Sequence, residues 1–163
     1  MSRRTRLWLT GGIAVALFVV LAILDNRMQT AGEAGIIDFE LAGSADQADR
    51  IREKWGETGR DAALASLLLD YPFLLAYGAF GIVAVSALRD RAPRWGAVAF
   101  AAACIGPASD AVENGFLLAS LSGGTWAALP ATVFALLKFA ALIVSGVFVL
   151  AMLARRVVAA RSR

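Results

Sequence analysis

The 163-residue chain contains no histidine and one cysteine, Cys104. Without histidine there is no imidazole metal site, no histidine-ligated haem and no Ser-His-Asp or Cys-His catalysis. A lone cysteine closes no intrachain disulfide, and Cys104 reads as a small apolar packing residue. Lysine is almost as scarce, with only Lys54 and Lys138, so nearly all positive charge is carried by arginine. Tyrosine is limited to Tyr71 and Tyr77. An enzyme built from this inventory would have to work with carboxylates, lysine or tyrosine, and the composition leans away from one. No spacing of carboxylates matches a known metal loop, so neither metal nor cofactor is expected.

What is abundant is hydrocarbon. The chain is 59% hydrophobic, with a mean hydropathy of +0.67, well above the roughly half-apolar composition of soluble domains. The expected class is all-α: an integral membrane four-helix bundle forming a single membrane domain over residues 1–163. A net charge of +3 might suggest nucleic acid, but the arginines are accounted for by topology instead.

The uncharged run from Leu7 to Leu24 is long enough to span, at about 1.5 Å per residue. Its Ser2-Arg3-Arg4 flank and the later Gly32-Glu33-Ala34 hint at an export signal, but the apolar run exceeds a signal h-region and reads as an uncleaved first span. Residues 25–61 are polar and are expected to form an outer loop. Eight acidic and five basic residues lie between Asn26 and Ala62.

Within that loop Ser44 and Gln47 form a capping-box pattern, and Ala48, Ile51 and Trp55 recur at helical spacing up to Gly56. This predicts a short amphipathic helix with Trp55 at headgroup level. Thr58 and Asp61 give a second, weaker start. Ile36-Ile37-Asp38-Phe39-Glu40-Leu41 alternates apolar with acidic residues, as a short strand or a short interfacial helix would.

The second span covers about 62–88 and is interrupted by Asp70-Tyr71-Pro72. Either Asp70 caps a helix starting at Tyr71, or one helix continues with a kink at Pro72. The third span is expected over 95–121, kinked at Gly106-Pro107, and the fourth over 130–153, opening on Pro130. Trp126 is placed as an interfacial anchor. The N-terminal tail, the 89–94 turn and the C-terminal tail hold ten arginines and one aspartate. By the positive-inside rule both termini are therefore cytoplasmic, in a plasma (inner) membrane.

Against this background the third span carries Asp110, Glu113 and Asn114 at i, i+3 and i+4, on one helix face. Asp110 lies fifteen residues from Trp95, and Lys138 fifteen from Leu153, so the two fall at similar depth, roughly 22 Å from the inner edge. Counted the same way, Asp70 and Asp25 lie at about 27 Å, near the outer boundary of a ~30 Å core. Five ionisable groups from four spans are thus expected to converge in the outer third, and the inner two thirds holds none. Tyr77, Gly78 and Gly81 share a face with Asp70, as a pocket wall or as close helix packing.

The expected binding residues are Asp110, Glu113, Asn114, Lys138, Asp70 and Tyr77. With so few cations among them, at least one of Asp110 and Glu113 is expected to hold a proton. Tyr71 reads as an interfacial aromatic.

The first functional expectation is binding or transport of a small cation, a proton or a lipid-like amphiphile. The alternatives are an accessory subunit of a larger membrane complex, in which the polar set is a structural clasp, and a lipid-modifying enzyme using carboxylates. The expected surroundings are the lipid bilayer, with a homo-oligomer or larger complex left open and no nucleic acid.

The order of first span, outer insertion with a Trp-Gly pair, Leu69-Asp70-Tyr71-Pro72 and Asp110-x-x-Glu113-Asn114 resembles small bacterial membrane proteins. In outline it is also similar to sterol-isomerase-like and sigma-2-receptor-like four-helix bundles, whose pockets hold acidic residues. The chain lacks the histidine those isomerases carry.

Overall fold

A computed structural model describes residues 2–161, and Arg163, counted above among the basic residues, lies outside them. The described chain is all-helical. Its helices are α1 (Arg3–Gly32), α2 (Ile36–Glu40), α3 (Ala45–Ser86), α4 (Pro93–Leu121) and α5 (Ala128–Arg161), with one 3-10 turn at Arg89–Arg91. Four of these are long and apolar enough to cross a membrane.

Helices α1 and α3 are longer than expected. The Ser2 hydroxyl caps α1, accepting from the Thr5 N–H, and the helix runs past Leu24 to Gly32 before Glu33 turns it in the left-handed conformation. The Ser44 hydroxyl caps α3 by accepting from the Gln47 N–H at 3.3 Å. The capping box is only half made, because the Gln47 side chain accepts from Arg50 instead.

The non-helical residue is Gly56, at φ 58° and ψ −153°, a conformation that glycine adopts without Cβ strain. The chain bends there and resumes the helix at once. Gly59 makes this possible, since a Cβ at that position would lie 2.6 Å from the Trp55 Cβ. The amphipathic segment and the second span are therefore one helix with a break, and the loop shrinks to residues 33–44. Helix α3 is continuous through Pro72, so Asp70 does not cap a new one. Proline removes only one N–H, and a long helix tolerates that loss. Pro107 likewise lies inside α4, with its ring against Gly78, where a Cβ would come within 2.9 Å.

Helix α1 packs along α3, α3 along α4, and α4 along α5, so α1 and α5 end the row. Two apolar clusters hold it together. One, at the arginine-rich end, joins Val85, Leu88, Ala99, Ala103, Phe148 and Met152. The other joins Met28, Phe39, Ile51, Trp55, Leu67 and Leu117 at the opposite end.

Trp55 belongs to this second core rather than to an interface. It is 2% exposed, its ring lies 5.1 Å from that of Phe39, and its indole N–H donates to the Ala34 carbonyl at 2.6 Å. An indole with one buried acceptor in reach is more stable inside. Trp126 is 66% exposed, as an interfacial anchor would be. Large apolar side chains are exposed along α1 and α5, among them Val15, Phe18, Ile143 and Leu150.

Candidate functional site

The two apolar clusters leave a polar layer between them. Helix α5 delivers Lys138 into it, and α4 delivers Asp110, Glu113 and Asn114 from one face. The Lys138 ammonium lies 2.8 Å from Glu113 Oε2 and 3.2 Å from Asp110 Oδ1, so equal counting depth corresponds to direct contact. Glu113 is fully buried and Lys138 is 6% exposed. On the α3 side, the Tyr77 hydroxyl donates to Asp110 Oδ2 at 2.7 Å, and the Asn114 amide donates to Asp70 Oδ2 at 2.6 Å. The hydroxyl of Tyr71 reaches the Ala111 carbonyl at 3.4 Å. All six residues expected from the sequence are thus brought together.

Two assignments change. Asp25 does not join the Lys138 cluster. Its Oδ1 accepts from the Ile36 N–H at 2.7 Å, and its Oδ2 accepts from the Gln29 amide at 2.6 Å. With Asp38, which accepts from the Gly35 N–H, it caps the start of α2. A backbone N–H within reach outweighs a cation farther away.

The residue that sequence reasoning passed over is Glu40. Its Oε2 lies 3.1 Å from Lys138 Nζ, making it the third carboxylate on that ammonium. Burial pushes the Glu40 carboxyl above the usual glutamate range, against the opposing pull of Lys138. The Thr132 hydroxyl fixes the end of α2 on α5, donating to the Glu40 carbonyl at 2.7 Å and accepting from the Gly43 N–H at 2.9 Å. The available signal was the apolar–acidic alternation of 36–41, whose two carboxylates, two residues apart, fall on opposite sides of a helical turn, so that Asp38 is exposed and Glu40 is buried.

A cavity of about 500 Å³ lies beside this layer. Its walls are mostly apolar, from Phe18, Leu21 and Ala22 of α1, Phe73 of α3, and Phe139 and Leu142 of α5, with Asp25 and Ser66 also on the lining. Its floor is polar, formed by Glu40, Asp70, Tyr77, Asp110, Asn114 and Lys138. Phe18, Ala22 and Leu142 are exposed, so the mouth lies between α1 and α5, the two ends of the row. Asp110 and Glu113 are near neighbours of a single ammonium, yet Asp110 Oδ1 and Glu113 Oε2 receive no hydrogen bond of good geometry. Among the described residues no group of three or more metal-binding side chains is arranged to hold an ion.

The fold and site thus define an all-helical bundle with four helices of membrane-crossing length and a half-buried cavity with a carboxylate-rich floor. Compared with known protein families, curated proteins and solved structures, the chain matches none.

Proposed function

We propose that this is an intramembrane binding protein for a single lipid-like amphiphile, which enters from the outer leaflet between α1 and α5. The observation that carries the reading is the cavity's division into apolar walls and a polar floor, the division an amphiphile has. The whole chain forms one membrane domain, with α2 and the start of α3 on the extracytoplasmic side. Both termini are cytoplasmic, in the plasma (inner) membrane. The arginine asymmetry supports this orientation, and the exposed apolar faces of α1 and α5 fit lipid better than water.

Binding is better supported than transport. From the polar layer to the arginine-rich end the four spans carry no acidic or basic side chain, only Tyr77 on the floor itself and the lone thiol of Cys104, so a proton or metal cation has no chain of relay groups. An accessory-subunit role would need the polar layer only as a clasp. Interhelical hydrogen bonds are worth about 0.6–2 kcal/mol each, and register alone does not call for three carboxylates around one lysine.

The test uses Ala22→Trp, which narrows the mouth at an exposed position. Purified in mild detergent and extracted with organic solvent, the wild-type chain is expected to yield one predominant molecule per chain. In the variant that molecule is depleted while the thermal midpoint is unchanged. Identical lipid complements from the two proteins would overturn the reading.

A further inference from the structure

Resting on that cavity, we propose that the occupant's head group is a protonated amine, seated against Asp70 and Asp110. The argument begins with the distribution of charge. Four carboxylates, Glu40, Asp70, Asp110 and Glu113, face a layer whose only cation among the described residues is Lys138, and Asp25, also on the cavity lining, has both oxygens engaged by the Ile36 N–H and the Gln29 amide. Three of them, Glu40, Asp110 and Glu113, crowd its ammonium at 2.8–3.2 Å, and it donates hydrogen bonds to Glu40 and Glu113. Lys138 is therefore the layer's internal counterion, enclosed by three carboxylates.

Asp70 is the carboxylate left over. Among the described residues no lysine or arginine nitrogen lies within ion-pairing distance of it, and the partner recorded for its Oδ2 is a neutral amide, Asn114. It is half-buried and lines the cavity. Beside it Asp110, 3% exposed, also lines the cavity, its Oδ1 in ion-pair contact with Lys138 at 3.2 Å and its Oδ2 accepting from Tyr77. A carboxylate without a cation and a second one sharing its cation with two others thus face one space, where water is displaced by hydrocarbon walls.

The aromatic groups of the wall agree. Phe73 lies 6.3 Å from Phe18 and 5.1 Å from Tyr77, ring centre to ring centre, forming a row that leads to Asp110. Aromatic faces attract cations and repel anions. A sulfate, phosphate or carboxylate head would enter a layer already in excess of negative charge, whose one ammonium is enclosed by three carboxylates. A neutral hydroxyl would find acceptors but leave the charge imbalance in a low dielectric. An ammonium answers both the unfilled acceptors and the imbalance.

The experiment holds the tail constant and changes the head. The full chain is placed in phosphatidylcholine nanodiscs, and binding of radiolabelled dodecylamine, dodecanol and dodecyl sulfate is measured against empty discs. Dodecylamine is expected to bind saturably, one per chain, at least about tenfold tighter than dodecanol, the size of one lost charge-assisted hydrogen bond, with no saturable binding of the sulfate. Asp70→Asn, which keeps the shape and the Asn114 contact, is expected to remove that preference. Dodecanol or dodecyl sulfate binding as tightly as the amine would overturn the head-group inference and leave the cavity reading standing. Absence of saturable binding by any probe would overturn both. If Asp70→Asn does not fold, the head-group series on the wild-type chain decides alone.

Discussion

Lys138→Met is expected to be among the most damaging single substitutions in the chain, costing about 3–5 kcal/mol of stability. The replacement has nearly the same length, so the loss is electrostatic. It leaves Glu40, Asp110 and Glu113 facing one another without a cation, in a layer where Glu113 is fully buried. The check is the thermal midpoint and the monodisperse fraction of the purified protein in detergent. Adding Glu113→Gln and Asp110→Asn to the methionine variant is expected to recover part of the loss, because the penalty comes from unpaired charge rather than lost packing. A methionine variant as stable as wild type would mean that the layer does not depend on its ammonium.

Trp55→Ala is expected to cost a similar amount, about 3–5 kcal/mol, for a different reason. The indole fills the apolar cluster beside Phe39, and its N–H holds the Ala34 carbonyl. Its removal opens a void and releases the 33–44 segment at one end, while Asp25, Thr132 and Lys138 still hold the rest. Limited proteolysis should show early cleavage within 33–44 in the variant, and cleavage no faster than in wild type would contradict the packing described. Trp55→Phe restores most of the volume but not the hydrogen bond, and is expected to fall between the two.

The parts of this structure legible in the sequence are those governed by fixed lengths. Apolar runs set the four long helices, and because helix rise is constant, counting fifteen residues from each end brought Asp110 and Lys138 to the same level. The i, i+3, i+4 pattern of Asp110, Glu113 and Asn114 put all three on the face that α3 and α5 meet.

What was not legible depended on contacts between distant segments. Glu40 reaches Lys138 only because Asp25 caps one end of a five-residue helix and Thr132 pins the other, and neither bond leaves a local signature. The same bond took Asp25 out of the charged layer. Trp55 satisfies both an interfacial and a core pattern, and the Ala34 carbonyl decides between them. Gly56 interrupts the helix where the apolar spacing ends, but the helix resumes beyond it because Gly59 lets the next turn close against Trp55.

The most direct test of the central claim is an experimental density map of the chain in native-lipid nanodiscs. The account predicts one elongated density that enters between Phe18 and Leu142, runs beside Phe73 and ends at Asp70 and Asp110. A map in which α1 closes against α5, with side chains filling the space and no density beside Asp70, would contradict it.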